Sequence, residues 1–361
     1  MLAEVRSLGT ASRLRGPEQL QDFEQELVDQ YALAALCSGL TDTTVAADRS
    51  VLFEFIAFLG RPVWTAATAD ADRFFVEQRR RGLSKSTMRR KASVIALFFE
   101  FVIVRYQGDV HALTGYVVAS PIDEFNRPAS AVTTAAERVP PSLAEVGVLF
   151  DGWRQSLPET RKFLPAARNY LAASLWRRVG LRINESVMLD IGDWRPDLGE
   201  HGKLHVRFGK GARGRGPKTR LVPAIDAVDA LLGWWMTEVR HQFGDDWADP
   251  HAPLLPSERY DSMTRRCTRV GADTVRNGFT DAVATWLPDW QGRLTPHGMR
   301  HFCASSLYGR GLDIRAIADL LGHAFLHTTT NYIHVHDAHI ELAWAAANER
   351  VAARLTQSQL T

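Results

Sequence analysis

The chain has 361 residues, 45% of them hydrophobic and 23% charged, and its formal net charge is only +2. This length is too great for one ordinary domain, and the composition is typical of a soluble globular protein. The N-terminus lacks the apolar core of a secretion signal, and no run approaches the ~20 apolar residues that cross a bilayer. Three widely spaced cysteines (Cys37, Cys267 and Cys303) do not suggest a disulfide framework and favour a reducing cytoplasm.

The first part of the chain predicts a small helical domain over residues 20–125, after an N-terminal extension of residues 1–19. Residues 17–37 place apolar side chains at helical spacing. The segments Gly-Leu-Thr-Asp-Thr-Thr from Gly39 and Gly-Leu-Ser-Lys-Ser-Thr from Gly82 each precede a helix rich in aromatic residues. In both, we expect the glycine to end one element and a hydroxyl residue to cap the next helix.

A linker and a second domain follow. Residues 126–141 turn to Ala, Ser, Thr and Pro without periodicity, which is typical of a linker. Ser142 and Glu145 form a capping-box pattern that opens a domain over residues 142–335. The alternation of Leu204, Val206 and Phe208 with polar residues predicts a half-buried strand, and a glycine-rich turn leads to a second strand. The strands are predicted at 204–208 and 220–223, and the helices at 163–179, 184–188, 225–241, 259–270, 276–286, 297–309, 313–321, 328–334 and 337–355. The predicted fold class is therefore mainly α with two domains, the second of them mixed α+β with a small antiparallel sheet.

Basic residues are concentrated in two stretches. The second stretch, from residue 203 to 220, contains no acidic residue. Such density can neutralise phosphates along duplex DNA, although either stretch alone could equally be a solvated surface face. The candidates for DNA contact are Arg79, Arg80, Arg81, Lys85, Arg89, Arg90 and Lys91 in the first stretch, and Arg207, Arg213, Arg215 and Lys218 in the second.

Near the C-terminus, residue types that bind phosphate come together. Thr295 and Pro296 favour a helix start, and His297 and Arg300 then lie on one face of its first turn, where the unpaired N–H groups favour a phosphate. His323 directly follows a helix that Gly322 is expected to end. Tyr332 follows nine residues later, within Thr-Thr-Thr-Asn-Tyr-Ile-His.

This order of motifs resembles the second conserved box of the tyrosine recombinase (phage integrase) family. The first box of that family, Gly-Leu-Arg-x-x-Glu, is matched at 180–185, and its hairpin lysine motif is matched by Gly-Lys-Gly at 209–211 and Arg-Leu-Val-Pro at 220–223. The segment 82–87, with its aromatic helix, resembles part of the core-binding domain of the family. The resemblance extends over roughly residues 22–350, and six motifs occur in the correct order.

The resemblance implies a catalytic set. A tyrosine hydroxyl would attack a DNA phosphate, and two arginine forks would stabilise the charge on its oxygens. The sequence does not decide whether His297 is the base that assists the tyrosine or a hydrogen-bond donor to the phosphate. The expected residues are Tyr332 as nucleophile, Arg182 and Arg300 as the clamp, His297 as base or donor, Lys210 as acid, His323 as a phosphate ligand, and Glu185 as structural support.

It also implies partners and an assembly. The two domains would clamp double-stranded DNA at a specific site, four protomers would form a tetramer, and neither a metal nor another cofactor would be required. We expect a cytoplasmic, nucleoid-associated enzyme in a bacterial or phage-like context, encoded by a mobile element or used for site-specific recombination. Residues 336–361 would form a C-terminal helix and tail, and the helix could pack on a neighbouring protomer or on its own domain.

Several alternatives remain open. Lys218 could replace Lys210, because the hairpin is longer than usual. The four-residue spacing of His297 and His301, and of His323 and His327, could suggest zinc, but no carboxylate or cysteine completes a set. A type IB topoisomerase would relax supercoils without a specific site, and a non-catalytic regulator on the same fold would need no nucleophile.

Overall fold

A computed structural model describes residues 16–128, 140–209 and 218–322 of the chain. The backbone divides into two compact units, and the described residues up to 128 belong to the first unit while those from 140 onward belong to the second. None of the helices in these three ranges combines the length and apolarity that a membrane span requires.

Helices make up the first unit: α1 (Pro17–Cys37), α2 (Asp42–Leu59), α3 (Thr68–Arg80) and α4 (Lys85–Thr114). The two predicted caps are confirmed. Thr41 Oγ1 accepts a hydrogen bond from the N–H of Thr44 at 3.3 Å, and Ser84 Oγ accepts one from Thr87 at 3.2 Å. Each cap satisfies an N–H group that the first turn of a helix leaves unpaired.

Aromatic rings fill the core of the first unit. Phe55 on α2 and Phe74 on α3 make an edge-on contact with ring centroids 5.2 Å apart, and Phe98 and Phe99 on α4 are buried beside them. The aromatic residues of α2 and α4 therefore form part of a core that α1 and α3 share.

The second unit begins at the predicted capping box. The N–H of Ser142 donates to Glu145 Oε2 at 2.7 Å, and the N–H of Glu145 donates to Ser142 Oγ at 3.2 Å. The helices that follow are α5 (Leu143–Ser156), α6 (Phe163–Val179), α7 (Ile183–Val187), α8 (Val228–Trp234), α9 (Ala272–Trp286), α10 (Pro296–Gly309) and α11 (Ile314–Leu321).

Helix α6 is the central element of the second unit. Buried residues such as Ala172, Leu175 and Trp176 lie on several of its faces, which is the pattern of a helix surrounded by its own domain. It ends at Val179 with Gly180 as its C-cap, so the core helix leads directly into the predicted first box.

In the described part of the second unit, two antiparallel sheets accompany the helices. The first sheet has the order β1 (Trp194–Arg195), β2 (Lys203–Gly209) and β3 (Lys218–Pro223), and the second pairs β4 (Pro256–Asp261) with β5 (Arg266–Arg269). In the β2–β3 pair, Leu204 lies opposite Val222. The mixed α+β class predicted for this part of the chain is confirmed.

Three local predictions need correction. The helix predicted over 259–270 is wrong, because this segment forms the β4–β5 hairpin with a turn in which Arg265 has a φ of 53°. The helix predicted over 225–241 begins later, at Val228, and continues after Trp234 as a π-helical and then a 3₁₀ turn. Phe208 does not share the buried face of Leu204 and Val206 and is 43% exposed, because the register of β2 against β3 shifts between Val206 and Gly209.

Candidate active site

The site is built around Glu185, a carboxylate that is only 2% exposed. Arg182 precedes α7, and its backbone N–H donates to Glu185 Oε2 at 2.9 Å. The Arg182 guanidinium donates to Glu185 Oε1 at 2.7 Å. The first turn of α7 therefore fixes the arginine and the glutamate of the predicted first box against each other.

Two further arginines reach the same carboxylate from distant parts of the chain. Arg220, on β3, donates from Nη1 and Nη2 to the two oxygens of Glu185 at 3.0 and 2.8 Å. Arg300, on α10, has its Nη1 3.9 Å from Glu185 Oε2. Three guanidinium groups thus surround one buried carboxylate, and the two arginines of the predicted clamp both lie within 4 Å of it.

The charge balance at Glu185 favours its ionised form. Burial acts to raise the pKa of this carboxyl, but the hydrogen bonds and positive charge of Arg220, together with those of Arg182, outweigh burial and lower the pKa to about 2. Glu185 is therefore ionised at neutral pH, and it offsets part of the positive charge of the three arginines.

Arg300 is anchored by backbone carbonyl groups as well. It is 1% exposed, and its two Nη atoms donate to the carbonyl oxygens of Gly180, at the end of α6, and Leu321, at the end of α11. Carbonyl groups at helix C-termini lack partners within the helix and carry partial negative charge. The position of this guanidinium is accordingly set by two helix ends.

Glycine is required where α6 ends beside α11. Gly180 has a φ of 63°, a backbone conformation that other residues rarely adopt. A Cβ atom at this position would overlap the side chain of Leu321 and come within 3.3 Å of Cys303 Sγ. The glycine of the predicted first box thus lets the two helix ends approach closely.

His297 lies in the first turn of α10, as the sequence predicted. Thr295 caps this helix by accepting a hydrogen bond from the N–H of Gly298 at 3.1 Å. His297 is exposed, and its ring packs edge-on against that of His301 with centroids 4.8 Å apart. An exposed histidine at the positive end of a helix dipole suits an anionic ligand. Within the described ranges, no three His, Cys, Asp or Glu side chains are grouped closely enough to hold a metal ion.

Several predicted site residues lie outside the described ranges. They are the nucleophile candidate Tyr332, the phosphate ligand His323 and its neighbour His327, the acid candidate Lys210, and the basic residues Arg213 and Arg215 of the same hairpin. Lys218, the alternative acid, is the first residue of β3 and is exposed, opposite Gly209. Of the predicted catalytic set, the structure therefore brings together Arg182, Arg300 and Glu185, and it places His297 one turn before Arg300.

In the first unit, most of the predicted DNA contacts are accessible. Lys91 differs, because it is only 8% exposed and its Nζ donates to Glu54 at 2.6 Å and to Gln78 at 2.8 Å. This position on α4 leaves the side chain little surface to offer to DNA. The exposed candidates, at the end of α3 and the start of α4, are Arg79, Arg80, Arg81, Lys85, Arg89 and Arg90.

Arg207, on β2, is held by two carboxylates. Its Nε and Nη2 lie 3.1 and 2.8 Å from Asp193 Oδ2, and its Nη2 also bonds to Asp190. The hydrogen bond to Asp193 is the largest of the influences that raise the pKa of Arg207. A DNA phosphate at this position would have to share the guanidinium with two acidic neighbours.

Arg220 is a site residue whose role the sequence does not indicate. In the sequence it closes the basic stretch 203–220 and opens the Arg-Leu-Val-Pro motif, whereas its two partners, Glu185 and the carbonyl of Leu320, lie 35 and 100 residues away. A basic residue at the start of that motif, in a strand whose apolar neighbours alternate, was the available signal.

The chain matches known proteins over most of its length. The family model described as the phage integrase family matches residues 156–339. Tyrosine recombinase XerC of Methylobacterium nodulans is 30% identical over 320 residues, covering 86% of this chain and 88% of the relative. Tyrosine recombinase XerC of Herpetosiphon aurantiacus is 28% identical over 340 residues, covering 91% and 97%.

Solved structures share the fold at low sequence identity. The Tn1549 transposon integrase in complex with transposon right end DNA has a TM-score of 0.64 at 17% identity, covering 91% of this chain and 99% of that one. The XerH site-specific recombinase bound to palindromic difH substrate has a TM-score of 0.62 at 16% identity, covering 93% and 99%. At this level of identity, the structures support the two-part, mainly helical fold with its small antiparallel sheets.

Proposed function

Because the chain belongs to the phage integrase family of tyrosine recombinases, we propose that it is a site-specific DNA recombinase that works through a 3′-phosphotyrosyl intermediate. One observation supports this most directly: the guanidinium groups of Arg182 and Arg300 both lie within 4 Å of the Glu185 carboxylate, 2.7 and 3.9 Å from its oxygens. Two adjacent arginine forks suit the non-bridging oxygens of one phosphate.

The reaction exchanges one phosphate ester for another. The hydroxyl oxygen of Tyr332 bonds to phosphorus while the bond from phosphorus to the 5′ oxygen breaks. The tyrosine proton goes to a base, for which His297 is the candidate, and Lys210 returns a proton to the 5′ oxygen. Arg182 and Arg300 stabilise the charge that grows on the phosphate oxygens.

His323 and Glu185 have supporting roles in this reaction. His323 donates to a phosphate oxygen, and Glu185 holds the arginines in place without contacting DNA. Because the energy of the broken ester is retained in the phosphotyrosyl bond, the 5′ hydroxyl can attack it to rejoin a strand. The exchange therefore consumes neither ATP nor another high-energy cofactor.

The assembly belongs to the same proposal. A helical domain of residues 20–125 and a catalytic domain of residues 142–335, joined by the linker 126–141, would hold duplex DNA between them. Four protomers would exchange strands in pairs, with the C-terminal segment 336–361 packed on a neighbour. The enzyme would act on chromosomal or mobile DNA in the cytoplasm, and the exposed basic residues at the α3–α4 turn support contact with phosphates.

Covalent capture tests the proposal even though the target site is not specified in advance. The protein is incubated with a pool of nicked duplexes of randomised sequence and then denatured, and the DNA that stays attached is sequenced. The short strand beyond the nick diffuses away after cleavage, so the strand cannot be rejoined and the covalent intermediate accumulates. For a site-specific enzyme, we expect the attached DNA to be enriched in one sequence. Tyr332→Phe should abolish attachment, whereas Tyr260→Phe, the same change at an exposed tyrosine on β4, should not.

The alternatives give different results. Attachment without sequence enrichment, combined with relaxation of supercoiled DNA, would indicate a topoisomerase. A non-catalytic regulator would bind DNA equally well with Tyr332 or Phe at this position and would never form a covalent adduct.

A further inference from the structure

Arg220 joins three separate parts of the second unit. Its two Nη atoms donate to Glu185 at 3.0 and 2.8 Å, and its Nε donates to the carbonyl oxygen of Leu320 at 3.0 Å. The side chain is only 13% exposed. Strand β3, the buried carboxylate of the first box and the last turn of α11 thus meet on one guanidinium.

The end of α11 is held from two sides. Arg220 binds the carbonyl of Leu320, and Arg300 binds that of Leu321. Both carbonyl groups belong to the last turn, where a helix has no partners of its own. Leu320 and Leu321 are buried, so the position of this helix end is fixed by packing as well as by hydrogen bonds.

Gly322 fits closely against Arg220. It has a φ of 67° and ends α11, and a Cβ atom at this position would lie 3.0 Å from both Cδ and Nη1 of Arg220. Such a distance is tighter than ordinary van der Waals contact, so a larger residue would displace the arginine, the helix end or both.

The next residue in the sequence is His323, and Tyr332 follows nine residues later. On the basis of the function proposed above, we propose that Arg220 is a positioning residue for the cleavage reaction. Through Leu320 and Glu185 it sets where the chain leaves α11 relative to the guanidinium groups of Arg182 and Arg300. It therefore sets where the segment with His323 and the nucleophile begins relative to the phosphate clamp.

Arginine is suited to this role for a geometric reason. Its planar fork makes three bonds in fixed directions, to both carboxylate oxygens and to a carbonyl, whereas lysine is a point charge that cannot reproduce them together. Arg220→Lys should therefore keep the positive charge beside Glu185 and lose the fixed relation between Glu185 and α11. An error of about 1 Å in the position of a reacting group can cost on the order of 100-fold in rate.

The second unit provides a matched control. Arg240 has the same bonding pattern: its Nη1 and Nη2 donate to Asp245 at 2.5 and 2.9 Å, and its Nε donates to the carbonyl of Pro253 at 3.1 Å. It is fully buried, and its partners Asp245 and Pro253 lie outside α6, α7, α10 and α11. Arg240→Lys thus makes the same chemical change in a buried network that lacks a link to α11.

The experiment measures single-turnover attachment to the nicked duplex that the wild-type protein selects from the randomised pool. The rate constant at saturating DNA and the dissociation constant are determined for the wild type, Arg220→Lys and Arg240→Lys. We expect Arg220→Lys to lower the rate constant by about 10- to 100-fold with an unchanged dissociation constant. Arg240→Lys should lower the melting temperature and leave the rate constant of the folded protein unchanged.

Gly322→Ala provides a second variant if Arg220→Lys does not fold. It retains Arg220 and Glu185 but crowds the contact between them and α11, so it should also lower the rate constant rather than the affinity. Equal rate constants for the wild type and a folded Arg220→Lys or Gly322→Ala variant would overturn the positioning role. A parallel loss of affinity and rate would make Arg220 a DNA contact and would also overturn it. Failure of the wild type to attach to any duplex would instead overturn the proposed function.

Discussion

The buried carboxylate of Glu185 predicts a pH-dependent stability that can be measured without DNA. The perturbation is Glu185→Gln, which keeps the shape of the side chain and removes its charge. The pKa of Glu185 is lowered from 4.5 to about 2 in the folded protein. A shift of this size corresponds to about 3 kcal/mol of folding free energy, because each pKa unit is worth ~1.4 kcal/mol.

The sign follows from the direction of the shift. Since the folded-state pKa lies below the ordinary value, the carboxylate contributes fully above the ordinary value of 4.5, and this contribution is lost as the pH falls toward 2. The gap in unfolding free energy between the wild type and Glu185→Gln should therefore shrink by about 2 kcal/mol between about pH 7 and about pH 3. The other groups that titrate at acidic pH are present in both proteins, so their contributions cancel in the difference between the two unfolding free energies.

Unfolding in urea is measured at several pH values, and hydrogen–deuterium exchange of peptides from α6 and α7 is the readout. These helices adjoin, since Trp176 Nε1 donates to Ser186 Oγ at 2.9 Å, so the peptides report on the site itself. Asp197→Asn is the control, because Asp197 forms an exposed ion pair with Arg195 and such pairs contribute little. A gap that stays constant with pH, or that widens in acid, would refute the account of Glu185.

Two further predictions concern packing and DNA affinity. Gly180→Ala should lower the free energy of unfolding by more than about 2 kcal/mol, because the position has a positive φ and a Cβ atom there would overlap Leu321. Gly244→Ala should lower it by only about 1 kcal/mol, because Gly244 has a φ of 76° but open space around it. Urea titration measures both free energies. Replacing four exposed arginines and lysines at the α3–α4 turn by glutamine should weaken DNA binding and reduce the slope of log affinity against log salt by up to about 0.9 per lost phosphate contact. Binding titrations at several salt concentrations measure this slope, and an unchanged slope would exclude this surface from the DNA interface. The four positions are Arg79, Arg80, Lys85 and Arg89.

Local signals in the sequence predicted the parts of the fold that depend on near neighbours. Thr41, Ser84 and Ser142 cap helices through bonds to residues three positions away. Helix α6 begins and ends at the predicted residues, 163 and 179. Such features can be read from sequence because both partners lie within one turn of a helix.

The predictions that were wrong depend on contacts between residues far apart in the sequence. The β4–β5 hairpin is held in part by Asp245, which accepts a hydrogen bond from the N–H of Cys267 at a separation of 22 residues. No periodicity within 259–270 encodes that partner. The exposure of Phe208 depends on a register shift against β3, which the alternation of β2 alone does not contain.

In the site, too, the residue types were predictable from the sequence but the long-range contacts were not. Its residue types and their order along the chain were predicted, including Arg182, Glu185 and Arg300. The convergence of Arg220 on Glu185 and Leu320 was not, since those contacts join residues 35 and 100 positions apart. Sequence spacing identifies which residues carry charge, whereas the fold determines which of them share a partner.

In the proposed mechanism, Tyr332 attacks a phosphate that Arg182 and Arg300 hold. Its most direct test is to digest the captured protein–DNA adduct and to identify the modified peptide by mass spectrometry. We expect a nucleotide joined through its 3′ phosphate to Tyr332, with a free 5′ hydroxyl on the departing strand. Attachment to another residue, or a linkage through a 5′ phosphate, would contradict the proposed mechanism.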